Sequence, residues 1–162
     1  MKSEQNFVDW EDRFSVGVPV IDNQHKRLIT MTNELHNACQ HSDDYANEQF
    51  VKTVREAVAY VKYHFSTEEQ VMEQIGYPGL LDHRRIHTGF AQEVLKNALY
   101  YKEGKKFVPN LFVRFLRDWI LSHVAFIDSD MGEYIVELQN TGNFYIFTLD
   151  IKNWCNELEF HS

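Results

Sequence analysis

Histidines sit where apolar residues would otherwise sit on four successive amphipathic segments, and this pattern constrains the fold more than any other feature of the chain. Ile21, His25, Leu28, Thr32, Leu35 and Cys39 recur at intervals of three or four, which places them on one face of a helix. A second segment, from about 45 to 74, carries Phe50, Val54, Val58 with Ala57, Val61, His64, Phe65, Glu68 and Met72 on its stripe. A third, from about 81 to 101, carries His83, His87, Phe90, Val94 and Ala98. A fourth starts near Pro109 and carries Phe112, Phe115, Trp119, Ile120, His123, Ile127 and Met131. Polar or Gly/Pro-containing breaks at 41–44, 76–79 and 102–106 separate them. Four amphipathic helices with short connections predict an all-α, up-down-up-down four-helix bundle.

Two ends flank that bundle. Gly17 and Pro19 interrupt any helix, so the first twenty residues read as an extended N-terminal arm with Trp10 and Phe14 as anchors, and Asp22 reads as a cap of the first helix. The bundle with its arm is expected over residues 1–139. Residues 140–162 read as a C-terminal extension, with strand formers from Phe144 to Leu149 and apolar Ile151, Trp154 and Leu158, packed on the bundle or used for interaction.

A chain of 162 residues suits one domain. Its net charge of −8 excludes a nucleic-acid binder, because phosphate contacts need clustered Lys and Arg. No apolar run approaches the roughly 20 residues of a membrane span, and the N-terminus lacks a signal-peptide core, so a cytoplasmic protein without a membrane partner is expected. Cys39 and Cys155 are too few and too far apart for a zinc or iron–sulfur motif, and Cys39 reads as a small core residue.

The chemistry therefore rests on His25, His64, Glu68, His83, His87 and His123. A buried carboxylate costs several kcal/mol unless it is paired or metal-bound. His64 and Glu68 are four residues apart, as are His83 and His87, so each pair points off one helix in one direction. Every helix supplies at least one donor, as in di-metal bundles. Imidazole and carboxylate without thiolate suit iron, manganese or zinc. Asp128 is harder to place: five residues at about 100° each put it roughly 140° from His123 on a regular helix. A local widening into a π-type turn would bring it to the same face. His36, His41 and His161 lie off the stripes and read as surface residues.

The segments Ile21-Asp22-Asn23-Gln24-His25, His64-Phe65-Ser66-Thr67-Glu68-Glu69, His83-Arg84-Arg85-Ile86-His87 and Trp119-Ile120-Leu121-Ser122-His123, followed by Asp128, resemble the hemerythrin family, in particular its bacterial single-domain members. The resemblance covers roughly residues 7–138. It implies two iron ions, cycling between ferrous and ferric states under an oxo or hydroxo bridge. One would be held by His83, His87 and His123, the other by His25 and His64 with an open position, and Glu68 and Asp128 would bridge them. It further implies reversible dioxygen binding in a pocket lined by Phe65, Trp119, Ile120 and Val124; an oxygen-consuming recipient protein is a candidate partner, on whose identity the sequence is silent. Ile120 and Val124 stand where the family more often has Leu and Ile. A carrier or store, not an enzyme, is expected, since the chain lacks the Glu-x-x-His pairs of ferritin-like di-iron enzymes. An oxygen or redox sensor, and a di-iron oxidase or nitric-oxide-handling protein, are the alternatives.

Overall fold

The structure, a computed structural model, describes residues 6–105 and 108–141. Helix α1 spans Pro19–Ala38. Helix α2 runs without a break through Asp43–Tyr60, a π-helical stretch Val61–Phe65, and Ser66–Ile75. Helix α3 spans Leu80–Lys102. Helix α4 runs through Pro109–Trp119, a second π-helical stretch Ile120–Asp128, and Ser129–Asn140. These four form the expected all-α bundle, with no strand among the described residues. No described helix is long and apolar enough to cross a membrane. The expected C-terminal extension, with Trp154, Cys155 and His161, lies outside the described residues from 142 onward.

Local chemistry explains the helix ends. Pro19 starts α1 instead of blocking it, because a first-turn residue has no intrahelical use for an N–H. Asp22 is consequently inside the first turn and is not the cap. Its Oδ2 accepts a hydrogen bond from Ser15 Oγ at 2.6 Å and its Oδ1 from the Val16 N–H at 2.8 Å, which ties the arm to the helix. Ser42 caps α2, its Oγ accepting from the Tyr45 N–H, with Asp43 and Asp44 complementing the helix dipole in the first turn. Gly76, at φ 65°, closes the same helix in the left-handed conformation.

The interior divides into two apolar clusters with a polar layer between them. The larger contains Leu28, Phe50, Ala57, Phe65, Phe90, Leu116 and Ala125; the smaller contains Ile21, Val71, Met72, Met131 and Ile135. On α1, His25 falls between Ile21 and Leu28. On α2, Glu68 falls between Phe65 and Val71, and on α4 Asp128 falls between Ala125 and Met131. Two expectations about stripes change. Val58 is 52% exposed while Ala57 is fully buried, so Ala57 carries that turn. Cys39 is half-buried, packed against the larger cluster at its edge.

The arm is part of this core. Phe14 is fully buried, in a 3-10 turn spanning Asp12–Phe14. Val16 passes so close to α4 that a Cβ on Gly132 would lie 2.9 Å from the Val16 Cα. Gly132→Ala gains helix propensity of about 1 kcal/mol but drives a methyl into backbone, and overpacking of that kind costs roughly 1–3 kcal/mol. The variant is expected to unfold at lower urea concentration than the parent; an increase in stability would show that the arm does not press on α4.

Candidate metal centre

The polar layer brings together all seven side chains singled out in the sequence. His25, His64, Glu68 and Asp128 are fully buried, and His83, His87 and His123 are no more than 2% exposed. Their donor atoms form two groups, each with all atoms within 4.8 Å of one another: Glu68, His83, His87, His123 and Asp128 in one, His25, His64, Glu68 and Asp128 in the other.

The two carboxylates join the groups. Glu68 Oε1 lies 3.4 Å from His25 Nε2 and 3.3 Å from His64 Nε2, while its Oε2 lies 3.4 Å from His83 Nε2 and 3.2 Å from His87 Nε2. Asp128 Oδ2 lies 3.3 Å from His25 Nε2, and its Oδ1 lies 3.2 Å from His83 Nε2 and 2.9 Å from His123 Nε2. Each carboxylate thus gives one oxygen to each histidine group.

Asp128 reaches the site because Ile120–Asp128 is π-helical. In such a turn residues i and i+5 are hydrogen-bond partners and stack on one face, so His123 and Asp128 point inward together. The π-helical Val61–Phe65 in α2 was not foreseen. His64 and Phe65 are both buried, but so are the adjacent Val71 and Met72 in the regular helix that follows, so the sequence carries no distinct signal for this stretch.

Three imidazoles are oriented from outside. His25 Nδ1 is 2.8 Å from the Phe14 carbonyl, His64 Nδ1 is 2.9 Å from Gln24 Oε1, and His87 Nδ1 is 2.9 Å from Glu69 Oε1. Glu69 is itself held by the Arg84 guanidinium at 3.0 Å. Gln24, Glu69 and Arg84 received no role from the sequence; their only signal there is that each is next to a buried histidine or carboxylate. With Nδ1 as the donor, a neutral imidazole turns a lone pair on Nε2 inward. That lone pair meets carboxylate oxygens, which are also acceptors. His25 Nε2, His64 Nε2, both oxygens of Glu68 and both of Asp128 have no hydrogen-bond partner among the described residues. Acceptors gathered at 2.9–3.4 Å call for cations between them. Two donors each about 2.1 Å from one ion, at an angle of 90–109°, are about 3.0–3.4 Å apart. The residues therefore fit a pair of metal ions.

Without metal, protons do part of that work. Burial pushes His25 and His83 down, but the Asp128 and Glu68 carboxylates outweigh it and raise them to about 10 and about 9. Burial lowers His64 to about 3 and also lowers His123. Burial pushes the Glu68 and Asp128 carboxyls up, yet the surrounding histidines hold both below the usual range. The raised groups stabilise the fold fully below their unfolded value of 6.5, and this is lost as pH rises through about 9 to 10. The neutral His64 contributes above 6.5, and its contribution is lost as pH falls toward about 3. The metal-free protein is therefore expected to melt at its highest temperature near neutral pH and lower on both sides. Metal replaces the protons of His25 and His83, so loading should remove the alkaline decline. Thermal unfolding of both forms across about pH 5 to 10 checks this, and an identical alkaline decline in the loaded protein would contradict it.

An aromatic wall borders the cluster. Phe65 stacks on His87 at 3.7 Å and Trp119 on His123 at 3.9 Å. Ile120 and Val124, the other two expected pocket residues, are buried in the π-helical stretch of α4. The remaining described histidines stay out of the cluster. His41 is exposed. His36 is not a free surface residue as expected: it is half-buried and stacked on Phe7 at 4.2 Å.

Residues 16–135 match the hemerythrin HHE cation binding domain. Among similar proteins is a bacteriohemerythrin of Stenotrophomonas maltophilia, 33% identical over 126 residues that span 78% of this chain and 80% of that one. A bacteriohemerythrin of Pseudomonas aeruginosa is 34% identical over 71% of this chain and 72% of its own length. A crystal structure of wild-type hemerythrin superimposes with a TM-score of 0.68 at 26% identity, covering 78% of this chain and 96% of the other. The match takes in α1, α2 and α3, α4 as far as residue 135, and every residue of the buried cluster, and the chain belongs to the hemerythrin family.

Proposed function

We propose that the chain holds two iron ions, with a solvent-derived oxo or hydroxo bridge between them, and binds dioxygen reversibly as a carrier or store. The observation that carries this reading is the division of Glu68 and Asp128, each offering one oxygen to each histidine group. His83, His87 and His123 with the two carboxylates give one ion five protein donors. His25 and His64 with the same carboxylates give the other four, which leaves that ion the place for an exogenous ligand. An iron pair supplies the redox chemistry of dioxygen binding.

The chain's own residues set the conditions. Five neutral imidazoles against two carboxylates favour the ferrous pair more than a carboxylate-rich set would. Phe65, Trp119, Ile120 and Val124 keep water from the site, which slows loss of reduced oxygen species. The seven histidine and carboxylate side chains of the cluster all offer ligand atoms to the metal pair, which favours binding over proton-transfer catalysis. The purified protein, reduced without air, exposed to oxygen and degassed again, is expected to show two irons per chain and a visible charge-transfer band that comes and goes over repeated cycles. A band that persists after degassing, with iron left oxidised, would overturn the carrier role.

A further inference from the structure

Two polar atoms in the aromatic wall belong to no hydrogen bond. Tyr60 is 6% exposed, and its hydroxyl is buried without a partner among the described residues; the same holds for the indole N–H of Trp119. The two interact with each other, but short of hydrogen-bond geometry. Tyr60 stacks on His64, one of the two histidines of the four-donor group, at 4.4 Å, and Trp119 stacks on His123. Phe90 touches both, with ring centroids 6.3 Å from Tyr60 and 4.3 Å from Trp119.

Donor arithmetic identifies what is missing. An indole only donates, and a phenol has one proton to donate. If the indole gave its proton to the Tyr60 oxygen, the phenol proton would still have no acceptor. An unsatisfied buried polar group costs about 1–3 kcal/mol. The complement to this pair is a small acceptor, and beside a cationic metal pair the acceptor that fits is an anion.

Resting on the di-iron reading above, we propose that the Tyr60 hydroxyl is the hydrogen-bond donor that selects and holds a small anionic ligand at the His25/His64 side of the cluster. The Tyr60 hydroxyl hydrogen-bonds no carboxylate among the described residues, and Tyr60 is not one of the metal ligands; it acts on what the metal pair accepts.

The probe is azide, titrated against the iron-loaded protein and its Tyr60→Phe variant and followed by visible absorption. The variant is expected to keep the parent's iron content and to bind azide about tenfold more weakly or worse, the loss of one hydrogen bond to a charged acceptor. A second measurement needs no metal. Removing an unsatisfied hydroxyl leaves the thermal stability of the metal-free, azide-free protein equal or higher. Unchanged azide affinity in an iron-loaded variant overturns the inference and leaves the di-iron reading standing. A drop of several degrees in the metal-free variant overturns it too, because the hydroxyl would then already be bonded within the protein. Iron loss in the variant does the same, by making Tyr60 a support of the cluster. A parent chain that loads no iron sinks the underlying reading instead, and the inference with it.

Discussion

Glu68→Ala is expected to empty the chain of metal and to cost the metal-free fold about 3–5 kcal/mol. Glu68 is fully buried and faces His25, His64, His83 and His87, so no other single side chain is shared by as many of the histidines. Its removal leaves the raised imidazoles of His25 and His83 with one carboxylate between them. His64→Ala takes one of only two histidines from its group and is expected to lose that metal ion, with a smaller loss of stability. His36→Ala is the control: its stacking on Phe7 makes a loss of under about 1 kcal/mol reasonable, and its metal content should equal the parent's. Metal analysis and urea unfolding of the three variants decide the matter. Equal metal retention in all three would break the assignment of the cluster.

Asp128→Asn is expected to leave at most one metal ion per chain while keeping the helices intact. The amide matches the carboxylate in shape, so the π-helical stretch has no steric reason to change. What is lost is the negative charge near His25, His83 and His123. In the metal-free protein the carboxylate is a main reason that His25 and His83 hold their protons, so the alkaline decline in stability should begin at lower pH in the variant. Circular dichroism checks the first point, and metal content with the pH series checks the others. A variant that binds two ions as tightly as the parent would remove Asp128 from the site.

The four helices were legible because apolar spacing of three and four residues is a direct consequence of helix geometry, and the donors because five imidazoles and a carboxylate on such stripes have no apolar explanation. Asp128 shows where that reasoning strains. Regular geometry turns it away from His123, and only a π-helical turn brings it in. The companion stretch at Val61–Phe65 went unseen because His64 and Glu68 are already in phase on a regular helix, so nothing in their spacing demanded it. Val58 was misplaced for a different reason: beside Ala57, a stripe drawn by hydropathy prefers the larger residue, while packing chose the smaller. Gln24, Glu69 and Arg84 act through contacts between helices, which no spacing along one helix encodes. The unpaired hydroxyl of Tyr60 is a property of its surroundings and not of its neighbours in sequence.

Anomalous diffraction at the iron edge from crystals of the loaded protein tests the central claim most directly. The account predicts two peaks per chain in the polar layer, one bonded to His83, His87 and His123, the other to His25 and His64, and both bonded to Glu68 and Asp128. A single peak, or two peaks that do not share those carboxylates, would contradict it.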